Sequence, residues 1–286
     1  MHIPFRFLIP LLFLLKPVAG VAAGGPERVE LDAPLPGLSA TYLDLAKRIV
    51  PDLAKTEGAG WQGFTLDETT AQKLDLDIDW PDGLTIENVE VIDLASAAHP
   101  NIAVLFDFGG SGGDPAAPAL LVLYSFDGSP GLLPKLRDVL NVGLDRDTGF
   151  PDAALQPLGP QSQLIVVSNG HWNSQQSYRD LTLVLAQPDR LQIIDDVMTF
   201  SETLCGLRRT QEPHISVKKE ATMPMAAVRV DVLLHDEPIK ERCTEKAVAR
   251  RDRTIGATYR WNKVGGRYEP DSAALERLAL ENEKRF

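Results

Sequence analysis

A few short stretches of this 286-residue chain have the residue types and spacing to do chemistry. Gly109-Gly110-Ser111-Gly112-Gly113 fits G-x-S-x-G, the elbow that presents a nucleophilic serine. With His171 as base and Asp107 or Asp114 as the carboxylate behind it, the set would make a serine hydrolase. The elbow works where a strand turns sharply into a helix, whose first N–H groups hold the oxyanion. Here Asp114, Pro115 and Pro118 follow, and then an apolar run from Ala119, so the segment reads as a flexible turn. A hydrolase using Ser111 and His171 stays open as the alternative, and it requires the two loops to lie side by side.

Asp75, Asp77 and Asp79 reproduce the opening D-x-D-x-D of a calcium loop. Such a loop also needs glycine at its sixth place and glutamate at its twelfth. Trp80 and Ile86 hold those places, so no metal is expected. The alternation reads instead as a strand with Leu76, Ile78 and Trp80 inward and the aspartates in water.

The polar-aromatic run Ser168 to Asp180, SNGHWNSQQSYRD, lies between two apolar segments and has hardly an aliphatic group. His171, Trp172, Asn173, Gln176 and Tyr178 combine two large aromatic rings with adaptable hydrogen-bonding groups, as a contact surface for a polar partner would. Loops on a β scaffold are where such groups usually sit, and Ser111 would lie nearby if the glycine-rich loop were its neighbour. The plainer reading, a long hairpin loop that satisfies its own backbone through Asn, Ser and Gln, carries the greater weight.

The chain opens MHIPFRFLIPLLFLLKPVAGVAAGG, a basic start, a short apolar core and small residues, which predicts a signal peptide over 1–23. Loss of Arg6 and Lys16 with it leaves 27 basic against 40 acidic side chains, a balance of −13. An acidic surface does not release phosphate counterions, so no nucleic acid is expected as a partner. No later run reaches the ~20 apolar residues of a membrane span. In an oxidising compartment the two cysteines, Cys205 and Cys243, are expected to pair, and no C-x-x-C spacing suggests redox activity.

Those residues must be positioned by strands. Leu164 to Val167, Leu181 to Leu185 and Leu191 to Val197 read as a three-strand meander, and Thr85 to Leu94, Asn101 to Phe108, Ala119 to Phe126 and Leu136 to Val142 as further strands. Aligning Asn101-Ile-Ala-Val-Leu-Phe with Gln163-Leu-Ile-Val-Val-Ser suggests two meander repeats, about 84–145 and 160–200. Leu207 to Val217 and Ala226 to Leu234 add two strands, and Gly265-Gly266 joins a hairpin of Ile255 to Trp261 with Arg267 to Glu269. One helix is expected over 40–50, capped by Ser39, and one at the C-terminus after Asp271 or Ser272. The expected fold is thus mainly β: antiparallel meanders, propeller-like or sandwich-like, in one domain over 24–286 with an N-terminal and a C-terminal helix.

The stretches NSQQSY, LCGLRRTQEP and YRWNKVGGRYEPDSAALERL resemble those of a family of uncharacterised secreted proteins from proteobacteria. The resemblance implies periplasmic export and a structured C-terminal hairpin and helix, and it supplies no catalytic residue. The function expected is a periplasmic or secreted non-catalytic domain that binds a polar small molecule or an envelope protein, without a cofactor. A purely structural envelope component is the third reading.

Overall fold

The computed structural model describes residues 25–58, 60–94, 101–109, 118–126, 132–144, 147–204, 206–239 and 249–285. The predicted leader 1–23, Ser111, Asp114, Cys205 and Cys243 lie outside the described residues.

The described chain folds into two antiparallel sheets, with no closed barrel. The first holds β1 (Glu27–Arg28), β2 (Ala54–Thr56), β3 (Gly60–Thr65), β4 (Asp79–Leu94), β5 (Asn101–Gly109), β6 (Ala119–Ser125) and β7 (Lys135–Asn141). They lie in the order β2-β3-β4-β5-β6-β7, and β1 also pairs with β4. The second sheet is a meander of β8 (Leu155–Gly159), β9 (Ser162–Trp172), β10 (Gln176–Gln187), β11 (Arg190–Leu204), β12 (Leu207–Lys218), β13 (Ala227–Pro238), β14 (Arg251–Asn262) and β15 (Arg267–Pro270). Of the two expected architectures, the chain adopts the sandwich. Ile92, Ala103, Leu105, Leu121 and Leu123 of the first sheet pack directly on Ile165, Val167, Val184 and Leu191 of the second.

That stacking explains the unbroken apolar runs of β5, β6 and β9, whose alternate residues are buried on opposite faces. In the first sheet Val104, Phe106, Val122 and Tyr124 point away from the interface towards α1 (Tyr42–Ala46) and α2 (Glu68–Leu74). The Tyr124 hydroxyl donates to the Leu45 carbonyl at 2.9 Å, tying α1 to the sheet. The first helix is shorter than expected and starts at Thr41, not Ser39. Thr41 and Asp44 form a reciprocal capping box there, which satisfies two N–H groups at once.

Leu74 to Trp80 is not one strand. Asp67 caps α2, the helix consumes Leu74, and Asp75 stops it in the left-handed region at φ +55°, so the strand starts at Asp79. The local helix signal in ETTAQKL outweighs the alternation that follows it. Ile78, expected inward, is exposed.

The second sheet bends into two arms. β11 and β12 pair only at Glu202↔Arg209, Thr203↔Arg208 and Leu204↔Leu207, and then part. β11 continues beside β10, while β12 continues beside β13 as far as Lys218↔Ala227. Gly206, at φ +82°, permits the tight turn between them. Leu164, Leu183 and Val197 from one arm meet Val228, Val230 and Tyr259 from the other, and Leu275 and Leu278 of α3 (Ala274–Glu283) join them.

At the fork the strands are held by polar groups. The Gln211 carboxamide accepts the Phe200 N–H at 3.0 Å and forms a two-way amide pair with Asn282 of α3, at 2.8 and 3.0 Å. Arg209 forks onto Asp236 at 2.6 and 2.8 Å, with side chains only 9% and 11% exposed. Glu281 bonds both Arg209 and Arg253, and Arg285 pairs with Glu202, so α3 is fastened across the fork.

Breaking the bidentate pair leaves Asp236 buried with too few donors. Arg209→Ala is expected to lower the unfolding free energy by ~3–5 kcal/mol in urea titrations, and Arg209→Met with Asp236→Leu to recover most of that loss.

Candidate functional site

The polar run Ser168 to Asp180 is mostly strand rather than loop. β9 runs to Trp172 and β10 starts at Gln176, in the register Ser177↔Trp172, Tyr178↔His171 and Arg179↔Gly170. Ser, Asn and Gln are poor strand formers, but the apolar segments on either side fix the pairing and extend it. The turn is left to Asn173, Ser174 and Gln175. Asn173 Oδ1 accepts the Gln175 and Gln176 N–H groups at 2.9 and 2.8 Å.

Beside this hairpin is a cleft of about 530 Å³. It exists because β11 and β12 separate: Thr199 and Ser201 line it from β11, and Thr210 to Pro213 from β12. The hairpin supplies the rest of the wall. His171 and Tyr178 lie opposite each other with their rings stacked, centroids 5.8 Å apart and planes at 12°. Trp172 is 67% exposed, and Arg179 is the one arginine or lysine among the described lining residues.

Asp147 reaches the rim from the β7–β8 connection. Asn169, fully buried in β9, holds that connection down. Its Oδ1 accepts from the Leu144 N–H (3.1 Å) and the Thr148 hydroxyl (2.7 Å), and its Nδ2 donates to the Val142 carbonyl (3.0 Å). Asp147 itself sits in the left-handed region at φ +53°, which aspartate tolerates better than most residues.

Asp147 also acts on a group with shifted acidity, Asp107 of β5 in the first sheet. Burial raises the Asp107 carboxyl to about 7, and the nearby charges of Glu87, Asp147 and Glu90 add to the effect. Glu90 in turn accepts the Phe150 N–H at 2.6 Å and the Asn88 amide at 2.9 Å, linking β4 to the β7–β8 connection. Among the described residues no cluster of three or more His, Cys, Asp or Glu is arranged to hold a metal ion.

Of the residues picked out in the sequence, His171, Trp172 and Tyr178 come together in the cleft. Asn173 is taken up by the turn, and Gln176 pairs with Glu202 in the ladder, so neither lines the cleft. Ser111 lies outside the described residues. Arg179, Thr199, Ser201, Thr210 and Glu212 were missed: they sit on three strands, and no local motif links them. The chain matches no protein-family model, no curated protein and no solved structure.

A carboxyl raised from its unfolded value of ~3.9 keeps a proton in the native state that the unfolded chain has released. Its contribution to stability therefore falls as pH rises from about 4 towards 7 and is level above. Asp107→Asn is expected to gain in melting temperature relative to wild type at pH 8 and to lose that advantage by pH 4, in paired thermal melts.

Proposed function

We propose that the protein is a periplasmic or secreted, non-catalytic domain that binds a polar ligand, a small molecule or part of an envelope partner, in the cleft beside Trp172. The observation that carries this reading is the exposed Trp172 on a paired strand next to a polar cleft, with His171, Tyr178 and Arg179 around it. An exposed aromatic ring beside polar groups offers a partner a flat apolar face together with hydrogen-bonding groups. No helix among the described residues is long and apolar enough to cross a membrane.

The alternative, a serine hydrolase using Ser111 and His171, draws less support from its third member. An Asp107 carboxyl with its acidity shifted to about 7 is only about half ionised near neutrality, which weakens it as the partner of an imidazolium. Fluorophosphonate labelling of the purified protein separates the two readings. No label is expected, and a label that Ser111→Ala abolishes would establish the hydrolase.

Trp172→Ala is expected to stay within ~0.5 kcal/mol of wild type in stability, as surface substitutions do. In a thermal-shift screen of polar metabolites and oligomers, ligands that stabilise wild type should fail to stabilise this variant. A large loss of stability in the variant alone would make Trp172 a structural residue and overturn the reading.

We infer also that Cys205 and Cys243 pair. Their described neighbours run together: Leu207 pairs with Pro238, and the Ile239 N–H donates to the Gly206 carbonyl at 2.9 Å. Such a bridge would close a loop worth roughly 3–4 kcal/mol through the unfolded chain. Titration of the denatured, unreduced protein should find no free thiol, and two free thiols would refute the pairing.

A further inference from the structure

Resting on that reading of the cleft, we propose that its ligand is a carbohydrate: an extended, neutral or N-acetylated oligosaccharide, with one sugar ring lying on Trp172. A pyranose has an apolar C–H face and a rim of hydroxyls that both donate and accept. Its receptor needs a flat, exposed aromatic surface and mixed donors and acceptors, and has no use for an aliphatic pocket.

The side chains are laid out in that way. Trp172, Ser177 and Ser201 are consecutive register partners across β9, β10 and β11. Thr210, His235 and Asp252 are consecutive partners across β12, β13 and β14. Gln211 donates its backbone N–H to Ser201 Oγ at 3.2 Å, which joins the two halves at the fork. The result is two three-strand rows of aromatic, hydroxyl, imidazole and carboxylate groups that meet at the fork, each on the order of 10 Å at the usual strand spacing. A second hollow of about 580 Å³ starts where the cleft ends, since Thr210 and Glu212 line both, and it continues over His235 and Asp252. Gly170, next on the face from Trp172, leaves a side-chain-free seat beside the indole, where an added Cβ would meet nothing closer than the Tyr178 carbonyl at 3.8 Å.

A peptide fits less well. Among the described residues that line the cleft there is no Leu, Ile, Val or Met to anchor a side chain, and the second hollow offers only Leu233 and Leu234. Strand addition to the free edge of β12 meets Pro213, which pairs with Val232 on its other side and has no N–H to offer an incoming strand. Charge narrows the sugar class further. Along the two hollows Asp147, Glu212 and Asp252 face Arg179 and Arg253, and Arg253 is already held by Glu281, so a polyanionic glycan is disfavoured.

The test is tryptophan fluorescence titration of the full chain with chitotetraose, cellotetraose and maltotetraose, alongside an oligogalacturonate and a pool of octapeptides. At least one neutral tetrasaccharide should change the emission, more strongly than its disaccharide, and the oligogalacturonate should not. Trp172→Phe should remove most of the signal. Calorimetric affinity should fall about tenfold or more in Trp172→Ala and severalfold in Glu212→Gln. If the peptides bind with the same dependence on Trp172 and the sugars do not, the carbohydrate assignment is overturned while the cleft remains a binding site. If none of the sugars binds at millimolar concentration, the assignment also fails. Sugar binding that ignores both substitutions would place the ligand elsewhere and overturn the assignment and the cleft reading together.

Discussion

Where β11 and β12 part, each strand presents a backbone edge with no ladder partner, and a single side-chain amide pair makes that separation tolerable. A buried N–H left without an acceptor costs about 1–3 kcal/mol, so a sheet does not fork without substitutes. Gln211 takes the Phe200 N–H, Asn282 approaches the Met198 carbonyl at 3.4 Å, and the two amides satisfy one another. Around them the Arg209, Asp236, Glu281 and Arg253 charges are paired among themselves. The apolar filling between the arms and the hollow beside Trp172 both follow from that fork. Without it the meander would be one continuous sheet with neither an interior nor a cleft.

Much of the scaffold was legible from local pattern. The runs at Ile102 to Phe106, Leu120 to Leu123 and Leu164 to Val167 become strands buried on both faces, as uninterrupted aliphatic segments do when sheets stack. The Trp261 and Tyr268 hairpin pairs as its glycine turn implied, edge to face at 5.6 Å. What failed did so where two local signals competed. The alternating aspartates after Leu74 looked like a strand, but the Asp67 cap and the residues behind it had already committed the chain to a helix. The polar composition of Ser168 to Asp180 looked like a loop because strand propensity is weak beside the pairing imposed by its flanks.

The site was legible only in part, for a geometric reason. Residues 171, 172 and 178 share one hairpin, so a single window reveals them. Ser201, Thr210 and Glu212 join them only because a sheet folds at residue 206, and no periodicity along the chain reports where a meander will bend. Asn169 shows the reverse case. It lies in the same polar run, yet it is fully buried and holds Val142, Leu144 and Thr148 in place. Burying Asp107 among Glu87, Glu90 and Asp147 works against the fold's own stability, and no local pattern in the sequence announced it.

The amide that completes the fork belongs to Asn282, 71 residues beyond Gln211 and almost at the end of the chain. Without α3 in place the parted edges of β11 and β12 lack these substitute partners. The helix thus acts as a keystone: the two arms hold their separation only while it is seated, so fork and helix form one cooperative unit.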